Sequence, residues 1–191
     1  MTKTVQGQVK ELILGGQKSG KSRRGEQLAA AWLARSRSHR AVLIATALAS
    51  DEEMRERIAR HRAARMPAIL TVEEPRALAR AIRSHAAPHT LVLVDCLTLW
   101  LTNLMMPADG GTAQSAAGIE SAAESLVREI GAAAGPVALI SNEIGLGVIP
   151  LGREARAFVD ALGALNQRVA AACDRVTLMS AGLLLTLKEP E

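Results

Sequence analysis

The 191-residue chain has almost no aromatic side chains: no tyrosine, one phenylalanine (Phe158) and two tryptophans (Trp32 and Trp100). Lacking rings on which bases could stack, and lacking a long basic run, it has no platform for single-stranded nucleic acid. Lysine and arginine number 23 against 19 aspartates and glutamates, an excess that suits an anionic small substrate, so no nucleic-acid partner is expected. The only cysteines, Cys96 and Cys173, cannot build a disulfide framework or a thiolate cluster, which points to a reducing, cytoplasmic setting. No segment reaches the roughly 18 uninterrupted apolar residues of a membrane span. The opening "MTKTVQGQVKE" lacks the apolar centre of a secretory signal, so neither export nor a membrane span is expected.

What the chain does have is aliphatic residues in short, regularly spaced runs. Its length fits one domain, residues 1–191, with 1–9 as a loose N-terminal extension. The runs "VKELIL", "RAVLIAT", "AILTV", "TLVLVD", "PVALIS" and "RVTLMS" read as strands. Segments of helical period lie between them at 21–36, 50–65, 75–86, 114–134 and 152–174. This alternation predicts an α/β fold with a mainly parallel sheet and helices on both faces. "LLLTLK" follows "SAG" closely enough to form a hairpin, and so adds one antiparallel strand at the C-terminal edge. Residues 107–113 and 145–152 read as loops. On the last long helix, Phe158, Val159, Leu162, Leu165 and Val169 share a face that serves the core or a subunit contact.

Chemistry enters at "LGGQKSGKSR", residues 14–23. Gly15, four intervening residues (Gly16, Gln17, Lys18, Ser19), then Gly20, Lys21 and Ser22 make the G-x-x-x-x-G-K-[ST] pattern between a strand and a helix. Such a loop turns backbone N–H groups toward a nucleotide's phosphates, Lys21 neutralises their outer oxygens, and the Ser22 hydroxyl can ligate Mg²⁺. The second metal anchor is Asp95, which ends the apolar strand "LVLVD" where a carboxylate reaches the sheet's C-terminal edge. Cys96, next to it, reads as a small buried hydrophobe. There is no Asn-Lys-x-Asp guanine-reading motif, which favours a kinase over a signalling GTPase.

"SDEEMRERIARHRAARMP" opens with Ser50 three residues before Glu53, a capping box, and runs as a helix toward Pro67. Met54, Ile58, His61 and Arg65 recur on one face. From the residues alone His61 has two readings. It is either a half-buried helix histidine among arginines paired with Glu52, Glu53 and Glu56, or a nucleophilic imidazole facing a phosphate. In the second, the arginines stabilise developing charge and hold the ring neutral. His39, His85 and His89 lie away from every motif and read as surface or loop residues.

These blocks, with "IATALASDEEMRERIARHR", "VEEP", "LVLVDCLTLWLTNLM", "LISNEIGLGVIP" and "LNQRVAAACDRVTLMSAGLLLTLK", resemble the bifunctional adenosylcobinamide kinase / adenosylcobinamide-phosphate guanylyltransferase family from about residue 10 to residue 188. The resemblance implies two reactions. An NTP (ATP or GTP) phosphorylates adenosylcobinamide, and GMP from GTP is then joined to adenosylcobinamide phosphate, giving adenosylcobinamide-GDP and pyrophosphate. It implies that His61 carries the GMP, and that Thr46, Ala47, Arg62, Ala63, Ala64, Arg65, Glu73 and Asp95 contact nucleotide. Asn142 and Glu143 become polar groups toward corrinoid or nucleotide, or simply a strand-ending turn. A homo-oligomer, a trimer, is the assembly it implies. Two alternatives stay open on the residues alone: a monofunctional P-loop kinase of another small alcohol, and a nucleotide-dependent interaction module.

Overall fold

Seven short runs rich in Leu, Val and Ile fold into one sheet in the computed structural model, which describes residues 9–48, 52, 55–56, 66–108 and 110–190. The strands are β1 (Lys10–Gly15), β2 (Arg40–Ala45), β3 (Ile69–Glu73), β4 (Thr90–Asp95), β5 (Val137–Ile140), β6 (Arg175–Ser180) and β7 (Leu183–Lys188). Their order across the sheet is β3-β2-β4-β5-β1-β6-β7. All neighbours are parallel except β6 and β7, which pair antiparallel. The P-loop-type α/β sheet and its antiparallel edge strand are as the sequence predicts.

The parallel strands need crossovers, and helices supply them: α1 (Lys21–Ala34), α2 (Leu78–His85), α3 (Leu97–Met105), α4 (Ala116–Ala132) and α5 (Arg153–Ala172). Alternate residues of each strand point to opposite faces, and two cores result. Leu12, Val42, Ile44, Val92, Val94 and Leu139 pack under α2, α3, α4 and α5. Ile13, Leu43, Leu93 and Ile140 pack on the other face with Ala29 and Trp32 of α1. Gly25 of α1 is required by this contact, since a Cβ there would stand 2.7 Å from a Leu93 methyl.

Side-chain acceptors stand at or just before two of the helix starts. Ser115 caps α4 by accepting from the Gly118 N–H at 3.2 Å. Glu74 Oε1 accepts from the N–H groups of Arg76 and Ala77 just before α2, at 3.1 and 2.8 Å, satisfying donors a helix start leaves open. Helix α3 is an addition to the sequence reading, which assigned no element to 97–105. Its residues Leu97, Thr98, Trp100, Leu101, Asn103 and Leu104 are all buried, so the segment is covered on nearly every side and shows no amphipathic period. The expected 50–65 helix, with its Ser50–Glu53 capping box and its Met54, Ile58, His61 and Arg65 stripe, lies largely outside the described residues, as does most of the 1–9 extension. Within it Glu52, Arg55 and Glu56 are helical, and Arg55 pairs with Glu52 at 2.6 Å in an exposed i,i+3 contact.

Candidate nucleotide and acceptor site

The C-terminal ends of the parallel strands form one functional edge. Register sets Ala45 beside both Glu73 and Asp95, and Asp95 beside Ile140, so the loops after β1, β2, β3 and β4 emerge along one line. With strands about 4.8 Å apart, Asp95 lies two strands from the P-loop strand β1 and Glu73 lies four away.

The loop between β1 and α1 has the backbone its glycines permit. Gly20, the N-cap of α1, has φ +103° and Lys18 has φ +55°, both in the left-handed region that turns successive N–H groups inward. At Gly15 the reason is space. A Cβ there would come within 2.4 Å of the Met179 carbonyl oxygen and 2.6 Å of Ser19 Oγ. The β6–β7 turn buttresses the loop from behind, with the Gly182 N–H donating to Ser19 O at 3.0 Å. On its other side, the Glu143 N–H donates to Gly15 O at 3.1 Å.

Lys21 is buried, and its Nζ donates to Gly15 O at 3.0 Å and Gly16 O at 2.6 Å, so the ammonium lies over the loop. Gly16, Gln17 and Lys18 are exposed at its tip. Ser19 is buried, and its Oγ has no partner among the described residues. The Ser22 hydroxyl donates to Asp95 Oδ2 at 2.9 Å, which brings both expected metal anchors together. A hydroxyl and a carboxylate are hard oxygen donors of the type Mg²⁺ takes alongside phosphate oxygens and water. The described residues hold no cluster of three or more His, Cys, Asp or Glu that could cage a metal alone.

Thr46 is fully buried. Its hydroxyl accepts from the Cys96 N–H at 2.8 Å and donates to Cys96 O at 2.7 Å, so its side chain locks the ends of β2 and β4 together. Ala47 follows it in the loop, half-buried, and Glu73 stands exposed at the end of β3. His61 and Arg62, Ala63, Ala64 and Arg65 lie outside the described residues. Cys96 is 8 % exposed; burial above all, and then the charge of Asp95, push its thiol up to about 11. It is a packed, protonated residue, as the sequence suggests.

Three buried polar residues were not singled out in the sequence. Asn103 of α3 donates Nδ2 to Thr46 O at 2.7 Å and to Pro75 O at 3.0 Å, clamping the loops after β2 and β3. Thr98 Oγ1 accepts from the Asn142 N–H at 2.9 Å. Asn166 of α5 donates to Asn142 O at 3.1 Å. Asn142 therefore takes part through its backbone, and neither helix partner belongs to a local motif. Among the remaining histidines, His39 is more ordered than a surface reading implies. It stacks on Trp32 with ring centroids 3.9 Å apart.

Residues 11–187 match the family described as cobinamide kinase / cobinamide phosphate guanyltransferase. The chain is 48 % identical over 181 residues to the bifunctional adenosylcobalamin biosynthesis protein CobP of Pseudomonas aeruginosa, covering 94 % of this chain and 98 % of that one. The proteins of the same description named CobU, from Escherichia coli and Salmonella typhimurium, are each 33 % identical over 184 residues, covering 93 % of this chain and 98 % of each. In fold alone, the crystal structure of the flagellar accessory protein FlaH from Methanocaldococcus jannaschii is similar, with a TM-score of 0.55 at 11 % identity over 95 % of this chain and 79 % of that one.

Proposed function

Because the chain belongs to the cobinamide kinase / cobinamide phosphate guanyltransferase family, we propose that its sheet edge divides that family's two reactions between the P-loop and His61. The protein is a bifunctional enzyme of adenosylcobalamin biosynthesis, acting as cobinamide kinase and as cobinamide phosphate guanylyltransferase. The observation that carries the division is the Ser22–Asp95 contact beside Lys21. It gathers a hydroxyl, a carboxylate and an ammonium at a helix N-terminus, the set a nucleoside triphosphate with Mg²⁺ requires.

In the kinase step the loop from Gly15 to Ser22 holds the triphosphate, the Ser19 hydroxyl offers it a donor, and Lys21 turns from the loop carbonyls to the outer phosphate oxygens. Ser22 and Asp95 would hold Mg²⁺, which when bound neutralises charge on the phosphates. The aminopropanol hydroxyl of adenosylcobinamide attacks the γ-phosphorus, the bond from that phosphorus to the bridging oxygen breaks, NDP leaves, and the hydroxyl proton passes to solvent. In the second step the His61 imidazole attacks the α-phosphorus of GTP, a P–N bond forms, the P–O bond to pyrophosphate breaks, and adenosylcobinamide phosphate then displaces GMP from the ring. We assign Thr46 and Ala47 after β2, Glu73 at the end of β3, and Arg62, Ala63, Ala64 and Arg65 to nucleotide contact in this second step.

The experiment is a labelling comparison. GTP carrying label on the α-phosphate should mark the protein covalently, and γ-labelled GTP should not; the adduct should be acid-labile and stable to base. His61→Ala should lose the adduct and guanylyl transfer but keep phosphorylation of adenosylcobinamide. Retention of α-label by folded His61→Ala protein would refute the covalent role.

The whole chain acts as one catalytic domain in this reading. No helix among the described residues is long and apolar enough to cross a membrane, and the two cysteines are free thiols, which supports a cytoplasmic enzyme. We propose a homo-oligomer, a trimer; association of subunits is supported by β7, where Leu183, Leu184, Leu185 and Leu187 are all exposed on an edge strand, an apolar surface of the kind subunits cover. Light scattering coupled to size exclusion tests it.

A further inference from the structure

Beside the P-loop, α5 and the loop after β5 enclose a cavity of about 930 Å³ to which none of the nucleotide-binding residues belongs. Leu14 and Glu143 line it. Leu14 immediately precedes Gly15, and the Glu143 N–H is bonded to Gly15 O, so an occupant of the cavity lies against the strand end that carries the phosphate-binding loop.

Two features of α5 show a wall shaped for an occupant. Gly163 stands inside the helix, where glycine is less stable than alanine, yet a Cβ there would meet nothing within 4 Å. Packing within the chain gives no reason for glycine, whereas a flat wall against a ligand does. Asn166, 4 % exposed, also lines the cavity. Its Nδ2 is committed to Asn142 O, and its Oδ1 has no partner among the described residues. A buried acceptor in that state calls for an N–H or O–H donor.

The other wall is unusually apolar for a loop. Leu146, Val148 and Ile149 are 79 %, 95 % and 76 % exposed, and the loop is pinned to α5 by Arg156, which donates to Pro150 O and Leu151 O. The charges around the cavity have both signs, Glu143 and Asp160 against Arg156 and Lys188. Both cations are engaged with backbone carbonyls: Arg156 as above, and Lys188 with Ala170 O and Ala171 O at the end of α5. Such a lining suits a broad, amide-bearing ligand rather than a second polyphosphate.

We propose that this cavity binds the corrin macrocycle of the acceptor. One face of the ring lies on the Gly163 wall under the apolar 144–150 loop, and Asn166 Oδ1 accepts from a donor on the ring's periphery. The aminopropanol arm then extends past Glu143 to the P-loop. The inference rests on the cobinamide kinase activity, and its test separates the two.

Equilibrium dialysis of the full chain would measure adenosylcobinamide by its visible absorbance and, in parallel, the affinity for a non-hydrolysable Mg-nucleotide. Wild type should bind both, and Gly163→Ala, whose methyl enters the space the ring would fill, should weaken corrinoid binding with nucleotide affinity unchanged. Gly163→Leu and Gln167→Trp, which fill the cavity, should weaken corrinoid binding by about 10-fold or more, the scale of an overpacked contact, with nucleotide affinity unchanged. Gln167 is an exposed helix position, so its variant stays informative if Gly163→Leu folds poorly. Unaltered corrinoid affinity in a folded filled variant overturns the proposal. So does an altered oligomeric state with unaltered corrinoid affinity, which would give this face to a second copy of the chain. Wild-type protein that binds nucleotide but no corrinoid would fail at the acceptor activity itself, before the cavity is in question, and the proposal falls with it.

Discussion

The Ser22 hydroxyl donates to Asp95 Oδ2 across 2.9 Å, joining residues 73 positions apart at the start of α1 and the end of β4. The contact places a neutral and an anionic oxygen where one cation can meet both. Asp95→Asn keeps the shape and a hydrogen-bond acceptor but removes the charge. The Mg²⁺ concentration for half-maximal phosphoryl transfer should rise by about 10–100-fold, the usual loss when a metal's carboxylate support is altered. A Mg²⁺ titration of the kinase step measures it, and an unshifted midpoint would remove Asp95 from the metal site.

The Lys21 ammonium donates to the carbonyls of Gly15 and Gly16 at the phosphate-binding loop. Lys21→Ala should therefore leave the circular-dichroism spectrum and cooperative unfolding intact. Phosphoryl transfer should fall by about 10²-fold or more, as when another preorganised charge is removed from a transferring group. Normal turnover in the folded variant would contradict the phosphate role.

The P-loop, Asp95 and the six parallel strands were legible because each is local. A run of aliphatics bounded by glycine or aspartate announces a buried strand, and the glycine spacing announces the loop. What held those pieces together was not legible. Asn103 looks like any helix residue until α3 carries it under Thr46 and Pro75, and α3 itself escaped because burial on nearly all sides erases the periodicity that marks a helix. The Gly182 support of the P-loop depends on a contact 163 residues away in sequence from Ser19. Likewise the cavity beside the P-loop exists only where Leu14, the 143–150 loop and α5 meet; Asn142 and Glu143 could be named from the sequence, Gly163 and Asn166 could not.

Burial raises the Cys96 thiol from the usual 9.0 to about 11 and the Cys173 thiol to about 12, the negative charges of Asp95 and Asp174 adding to the respective effects. At pH 8 the native protein then has roughly 100-fold less Cys96 thiolate than an ordinary thiol would give, and iodoacetamide should label neither cysteine until the chain unfolds. Stability should respond too. Between pH 9 and about 11 the unfolded chain loses protons that the native state retains, so stability falls with rising pH, by up to about 3 kcal/mol for Cys96. Urea midpoints measured from pH 8 to 11 should decline, and less steeply in Cys96→Ala. Fast native labelling, or equal slopes for the two proteins, would count against the buried, protonated thiol.

Asn103 offers the most discriminating stability test, because its two N–H bonds both go to carbonyl oxygens in a site 6 % exposed. Leucine has nearly the same shape but no donors, so Asn103→Leu should cost about 2–4 kcal/mol, the penalty for stripping partners from buried carbonyls. Aspartate is closer still in shape, yet an ionised carboxylate would face two oxygens with no proton to give. Asn103→Asp should therefore be less stable than Asn103→Leu at pH 7. Burial and the facing carbonyls would raise the introduced carboxyl above its unfolded pKa of about 3.9. A raised folded-state pKa favours the native state below the unfolded value and loses that advantage as pH climbs through the folded value. The deficit of the aspartate variant relative to the leucine variant should thus shrink as pH is lowered from 7 toward 4, where a protonated carboxyl can donate one hydrogen bond to Thr46 O or Pro75 O. Urea denaturation of both variants at pH 7, 5 and 4 reads this directly. A pH-independent gap between them, or an aspartate variant as stable as wild type at pH 7, would show that Asn103 does not clamp the loops after β2 and β3 in solution.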